Sequence, residues 1–212
     1  MNDIKETQAR LNMYGLLSRL FIEEIDKDLL NKIKENNDLI DLFPRTKEWK
    51  LFFEKEPEKL IEEDLNVDFT SVFLLNVYPY ESVFMNDQGY IDPSVTNPTF
   101  MFYKEHGYMI DLNETRVLSP DHIAVEMEFM MTLIKEEIEA LQKEDKAQVE
   151  RLRNIQKRFL EEHLANWGTI YLLSAKDMAE TPFYQDVCEL SLEFILSDHE
   201  YLCETLEEGV TA

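Results

Sequence analysis

The sequence has few of the residues that interrupt regular structure, with only 5 glycines and 7 prolines among its 212 residues. Sandwiches and barrels consist of many short strands, and the turns between those strands draw on glycine and proline. Their scarcity argues against an all-β fold and favours long helices. The chain also lacks an internal repeat, which argues against a solenoid. Because 44% of the residues are hydrophobic and can fill a core, we expect an all-α helical bundle forming a single domain over residues 1–212.

Basic residues are also scarce, since 21 lysines and arginines stand against 44 acidic residues and give a formal net charge of −23. Such a surface repels the phosphates of nucleic acids and the headgroups of anionic lipids. We therefore expect no nucleic-acid partner. A basic peptide would be attracted, although an acidic surface without any specific partner is the commoner meaning of this charge.

Long hydrophobic runs are missing, and none approaches the 18 or so residues of a membrane span. The first residues, MNDIKETQARLNMYG, are polar and lack the apolar region of a signal peptide. We therefore expect a cytoplasmic protein without stable membrane insertion. The two cysteines, Cys188 and Cys203, lie fifteen residues apart in a segment predicted to be helical. A helix separates them by about 22 Å, which is too far for a disulfide.

Helical spacing of apolar residues covers most of the chain. The pattern predicts helices over residues 3–24, 26–40, 46–55, 57–75, 98–106, 119–141, 145–173 and 181–206. Between residues 76 and 118, prolines, glycines and many aromatic residues replace the regular pattern. Disordered segments are poor in aromatic residues. We therefore expect an ordered but irregular connection at about 76–118.

The helix predicted at 119–141 has the clearest start, with Ser119 as its cap and Pro120 at its first position. An apolar stripe runs along it and is expected to face the core: Ile123, Met127, Met130, Ile134, Ile138 and Leu141. Beside the stripe, His122, Glu126 and Phe129 share one edge of the helix. This edge is the first candidate for a functional surface.

His122 and Glu126 are four residues apart, a spacing that suits two metal ligands or an acid–base pair. The chain nevertheless lacks HExxH, a second ExxH pair, GxSxG, Walker A and GxGxxG. We therefore expect neither enzymatic activity nor a metal or cofactor. Two alternatives stay open: a small helical metal protein or enzyme using His122, Glu126 and His163, and an acidic interaction domain for another partner.

Five segments carry a resemblance to a known family. They are YGLLSRLF, DFTSVFLLNVYPYESVF, PDHIAVEMEFM, FLEEHLANW and FYQDVCELSLEFIL, and together they extend over nearly the whole chain. In this order they resemble the TorD/DmsD/NarJ family of cytoplasmic chaperones for molybdenum redox enzymes. The resemblance implies an all-helical fold and no catalysis. It further implies binding to the twin-arginine leader of a molybdopterin oxidoreductase precursor, which is held for cofactor insertion before export.

The same resemblance implies a set of leader-binding residues. Its centre is Pro120, Asp121 and His122, and the flanking matches are Tyr14, Leu17, Phe21, Phe69, Phe73, Tyr80, Glu81 and Ser82. A leader of this kind has a basic region followed by an apolar one. We expect Asp121, Glu126 and Glu81 to pair with its arginines. We expect Phe69, Phe73, Phe129 and the methionines of the helix at 119–141 to receive its apolar part.

Overall fold

The computed structural model describes residues 2–110 and 117–211, and it confirms the all-α prediction. Within these residues the only β pairing is an isolated bridge between Tyr80 and His122. The helices of this described part are α1 Asn2–Ile22, α2 Lys27–Glu35, α3 Asn37–Ile40, α4 Pro44–Glu48, α5 Lys50–Glu54, α6 57–76, α7 Glu81–Met85, α8 Pro98–Glu105, α9 Ile123–Gln142, α10 146–178 and α11 Pro182–Thr211. In that same part of the chain, no helix has the length and apolar character of a membrane span.

The chain groups into two compact units. Unit 1 consists of the described residues of Met1–Ile22, Tyr80–Gly168 and Phe194–Ala212, and unit 2 consists of Glu23–Pro79 and Thr169–Glu193. The expected organisation as a single domain stays a prediction.

In unit 1, α1 packs along α9, and α10 packs against α9 as well. The apolar stripe predicted for α9 does face the core, since Ile123, Met127, Met130 and Ile134 are fully buried. Aromatic rings extend this core, with Phe129 lying 4.7 Å from Tyr103 and 4.8 Å from Phe159 between ring centroids. The helical spacing of apolar residues therefore identified the core face of α9 correctly.

In unit 2, two buried aspartates fix the starts of helices. Asp186 accepts hydrogen bonds from the amide of Thr46 at 2.7 Å and from its hydroxyl at 2.8 Å, in the first turn of α4. Asp68 accepts the amide of Thr181 at 2.7 Å, directly before α11. Free amides and a positive dipole end make a helix start a favourable place for a carboxylate. These long-range caps hold segments that are far apart in the sequence.

The central helix begins later than predicted. The structure starts α9 at Ile123, and His122 is its cap, because His122 Nδ1 accepts the amide of Ala124 at 3.1 Å. Ser119 and Pro120 instead precede the helix in a turn. The reason is tertiary: the hydroxyl of Ser119 donates to the carbonyl of Asp92 at 2.7 Å, so it does not cap the helix.

Two other predicted helices are interrupted. The helix expected at 26–40 divides at Asn36, whose side chain accepts the amide of Asp38 at 2.9 Å and starts a new helix. The helix expected at 46–55 divides at Trp49, where ψ is 101°. It also begins early, because Pro44 opens α4.

The remaining boundaries agree more closely with expectation. Pro182 opens α11 directly after Thr181, and Pro98 opens α8, which ends before Gly107 at φ +78°. Within the connection predicted at 76–118, the structure adds the short helix α7, which has no clear sequence signal. The part of this connection at 111–116 lies outside the described residues.

A buried ionic network joins four helices of unit 1. Arg10 on α1 contacts Asp198 on α11 and donates to Glu137 on α9 at 3.2 Å. It also donates to Gln156 on α10 at 2.6 Å. Arg153 donates to Glu137 at 2.6 Å. Two guanidinium groups thus balance two carboxylates within the core.

Replacing Arg10 with methionine is expected to lower the free energy of unfolding by about 3–5 kcal/mol, because Asp198 and Glu137 would remain buried without their partner. The matched control is Arg151→Met, since Arg151 is an exposed arginine of α10. Its effect should stay within about 0.5 kcal/mol. Urea denaturation of both variants is the measurement, and equal losses would contradict a structural role for the network.

Candidate functional site

All residues of the predicted leader-binding set are buried. They are Tyr14, Leu17, Phe21, Phe69, Phe73, Tyr80, Glu81, Ser82, Pro120, Asp121, His122, Glu126 and Phe129. The structure brings part of the set together in unit 1, from Tyr80 to Ser82 and from Pro120 to Glu126. Tyr14, Leu17 and Phe21 belong to the buried face of α1.

Phe69 and Phe73 belong to unit 2. Their ring centroids lie 5.1 Å apart, and both rings contact Tyr184 at 5.8 and 5.4 Å. Their spacing of four residues therefore placed them correctly on one face of a helix. That face is occupied by other aromatic residues of the same unit.

The centre of the site is Asp121, which accepts hydrogen bonds from two consecutive amides. Its carbonyl accepts the amide of Glu81 at 3.0 Å, and its carboxylate accepts the amide of Ser82 at 2.7 Å. The ring of Tyr80 lies edge-on to His122 at 5.0 Å. The hydroxyl of Tyr80 accepts the amide of Leu118 at 3.1 Å. We term these two paired segments, 80–82 and 118–122, the clamp.

A third segment is tied to the clamp through Asp92. The amide of Asp92 donates to the hydroxyl of Ser82 at 3.0 Å, and its carbonyl accepts the hydroxyl of Ser119 at 2.7 Å. The side-chain amide of Asn97 donates to the same carbonyl at 2.9 Å. The backbone of Asp92 is thereby fixed, and one oxygen of its carboxylate accepts the amide of Ser94 at 3.0 Å.

Two buried carboxyl groups lie at the clamp, that of Glu81 within it and that of Glu126 four residues after its second segment. Glu81 accepts hydrogen bonds from Thr99 and from His163, whose Nδ1 is 3.0 Å away. Glu126 accepts the indole N–H of Trp167, which lies 3.1 Å from both of its oxygens. Both carboxyl groups are satisfied within unit 1. In the described conformation they are therefore not free to bind the arginines of a peptide.

Burial also removes charge from this region. It raises the pKa of Glu126 well above its usual value, and the neighbouring charges of Glu81 and Asp121 act in the same direction, while the bond from Trp167 opposes them. Burial lowers the pKa of His122 to about 3. His122 is thus neutral at neutral pH, as its role as a hydrogen-bond acceptor at the start of α9 requires.

The metal and acid–base alternative needed His122, Glu126 and His163 to act together. Among the residues that the structure describes, these three do not form a group whose ligand atoms could share one ion. The ring of His163 faces Glu81, and Glu126 faces Trp167. His163 and Glu126 are therefore buried side chains that already have hydrogen-bond partners within the protein.

Next to the clamp lies an open cleft of about 430 Å³. It is lined by Asn86, Asp87, Gln88, Tyr90, Ile91 and Asp92. Tyr90 is 72% exposed. Two further exposed apolar side chains are Met85, at the end of α7 directly before the cleft segment, and Leu118, in the clamp.

Sequence reasoning missed the lining of this cleft. The segment NDQGYIDP signals a turn, and Gly89 does have a φ of +65°, which favours glycine. Asp87 and Asp92 flank that turn, so a turn with two carboxylates was visible in the sequence. Its position against the clamp was not, because that depends on bonds to Ser82 and Ser119.

Known proteins resemble the chain over most of its length. The family described as nitrate reductase delta subunit matches residues 33–170. A protein named "Chaperone protein TorD" from Vibrio atlanticus is 25% identical over 228 residues, covering 94% of this chain and 99% of the relative. A protein of the same name from Photobacterium profundum is 29% identical over 145 residues, which span 66% of this chain and 64% of the relative.

The state of Glu126 leads to a prediction on pH. Its pKa is higher in the folded than in the unfolded chain, so its contribution to stability is complete below the unfolded value of 4.5 and is lost as the pH rises through the folded value. The loss reaches at most about 1.4 kcal/mol per pH unit. Glu126→Gln keeps an acceptor for Trp167 and removes the titrating group.

The unfolding free energy of Glu126→Gln, measured relative to the parent protein by chemical denaturation, should therefore rise from about pH 5 to about pH 8. Other titrating groups are common to both proteins and cancel in this difference. A difference that is constant or falls with pH would show that Glu126 is not held as the acid.

Proposed function

Since the chain belongs to the nitrate reductase delta subunit family, the TorD/DmsD/NarJ family that the sequence resembles, we propose that it is a maturation chaperone. Its client is a molybdopterin-containing oxidoreductase precursor in the cytoplasm, and it performs no catalysis. It binds the twin-arginine leader of that precursor and holds the enzyme for cofactor insertion before export. The name of the relatives, which are chaperone proteins, supports this proposal.

One observation carries the peptide-binding step: the cleft at 86–92 presents two carboxylates and an exposed tyrosine, and the clamp fixes the backbone of Asp92 at its end. Arginine pairs bidentately with carboxylates and stacks on aromatic faces. Asp87, Asp92 and Tyr90 offer both kinds of contact. We assign the arginine pair of the leader to this cleft.

The buried residues of the predicted set support this surface from within. Asp121 contributes by holding the amides of Glu81 and Ser82, and Ser82 in turn holds Asp92. A residue with this role affects binding through the position of the cleft. Asp121 is therefore a positioning residue in our proposal.

The apolar part of the leader needs an exposed apolar surface. Phe69, Phe73 and Phe129 are buried in the described conformation. Met85, which directly precedes the segment lining the cleft, is 51% exposed, and Leu118 in the clamp is 67% exposed. We propose that Met85 and Leu118 are the first side chains to contact the apolar residues that follow the arginines.

The net charge of −23 adds a long-range attraction for the basic region of the leader. This attraction is screened over about 8–10 Å at physiological ionic strength. Salt should therefore weaken binding without abolishing it, because apolar burial contributes roughly 25 cal/mol per Å² that salt does not screen.

Calorimetric titration with a synthetic twin-arginine leader peptide tests the assignment. Asp92→Asn should weaken binding roughly 10- to 100-fold, as expected for loss of a charged hydrogen bond. Replacing the arginine pair of the peptide with two lysines should also weaken it, because lysine lacks the planar fork. The control variant is Asp38→Asn, which removes the same charge at an exposed position of α3.

Equal losses of affinity in Asp92→Asn and Asp38→Asn would show that Asp92 acts only through the net charge of the protein. That result would contradict the cleft assignment. Asp121→Asn provides a further distinction. If Asp121 acts by positioning, the variant should weaken binding and lower thermal stability together. Loss of binding in Asp121→Asn with unchanged stability, while Asp92→Asn still binds normally, would assign the arginines to Asp121 directly.

A further inference from the structure

A second group of chemically reactive side chains lies in unit 1, outside the candidate peptide site. A carboxylate oxygen of Glu161, Nε2 of His199 and Sγ of Cys203 lie within 4.8 Å of one another. Nε2 of His199 is 3.1 Å from Glu161 Oε1 and 3.7 Å from Cys203 Sγ. In the described part of the chain, this is the one group of three such ligands at this spacing.

Local helix geometry explains why these side chains meet. His199 and Cys203 are four residues apart on α11 and therefore share a face. Glu161 lies in the π-helical turn Leu160–Leu164 of α10. A π-turn shifts the following side chains around the helix axis, and such turns occur frequently at functional sites.

The approach to His199 distinguishes a metal site from a catalytic triad. In a triad of nucleophile, histidine and acid, the nucleophile and the acid bind different nitrogens of the ring. Here both Glu161 and Cys203 approach the same nitrogen, Nε2. Three ligand atoms within 4.8 Å of one another are close enough to share one cation.

The two distances from His199 agree with tetrahedral coordination. Zinc bonds of about 2.0 Å to nitrogen and oxygen and about 2.3 Å to sulfur place nitrogen roughly 3.3 Å from oxygen and roughly 3.5 Å from sulfur. The separations of 3.1 and 3.7 Å are within a few tenths of an ångström of these values. Glu161 can move its carboxylate closer to the other two ligands, because its side chain is 44% exposed and can rotate.

We propose that Glu161, His199 and Cys203 bind a divalent transition metal of the zinc type, with water in the fourth position. A thiolate, an imidazole and a carboxylate suit a cation of intermediate softness and disfavour magnesium or calcium. The ion links α10 to α11 in unit 1. The proposal is independent of peptide binding and of the function proposed above.

Lys157 competes with the ion. Its ammonium group lies 2.8 Å from the Glu161 oxygen that also approaches His199. Metal binding must displace this ion pair, which is an exposed i, i+4 pair of modest strength. The competition makes the affinity dependent on a side chain that is not itself a ligand.

Cobalt titration of the untagged, metal-stripped protein tests the site, because Co²⁺ bound to a thiolate gives a charge-transfer band in the near ultraviolet. The band should appear in the parent protein and be absent in Cys203→Ser. It should persist in Cys188→Ser, since Cys188 is the other free thiol and is fully buried. No band, or a band retained in Cys203→Ser, would overturn the proposal.

Two further variants test the remaining ligands without disturbing the core. Glu161→Gln changes an exposed side chain and should weaken cobalt binding while the helical circular dichroism signal stays unchanged. Lys157→Gln should tighten binding roughly two- to five-fold, because it frees Glu161. Lys143→Gln removes an exposed lysine paired with Glu139 and should change nothing. Equal affinity in Lys157→Gln and Lys143→Gln would contradict the role of Glu161 as a ligand.

Discussion

The candidate site depends on one interaction, the pair of hydrogen bonds that Asp121 accepts from the amides of Glu81 and Ser82. These bonds join segments 39 residues apart in sequence. A buried amide without a partner is costly, so the pairing is strongly favoured once the segments are enclosed. It keeps residues 119–122 out of the helical conformation, and through Ser82 and Ser119 it fixes the backbone of Asp92. The helix start, the clamp and the cleft all follow from this one residue.

The same interaction explains which site features the sequence could predict. Helical spacing correctly placed Glu126 and Phe129 on α9, whereas His122 is the cap before that helix, and the resemblance singled out Asp121. Their burial was not predictable, because the partners of the carboxyl groups are distant in sequence. His163 is 82 residues from Glu81, and Trp167 is 41 residues from Glu126. No local pattern reports such a pairing, and an acidic residue is ordinarily exposed.

The fold shows the same division between local and tertiary information. Helical periodicity and sparse glycine predicted an all-α protein, and the proline starts of α8 and α11 were correct because capping is local. The breaks at Asn36 and Trp49 were missed, because the apolar spacing continues from the helix before each break into the helix after it. The late start of α9 was missed for a different reason, since the local cap signal at Ser119 yields to the bonds of the clamp.

Hydrogen–deuterium exchange with and without a twin-arginine leader peptide tests the central claim most directly. Bound peptide should slow the exchange of amides at residues 86–92, which line the cleft, and leave residues 27–40 of unit 2 unchanged. Slow exchange limited to this segment and the clamp would show that the peptide contacts the exposed surface held by Asp121. Protection elsewhere, with residues 86–92 unaffected by a peptide that binds, would contradict the account.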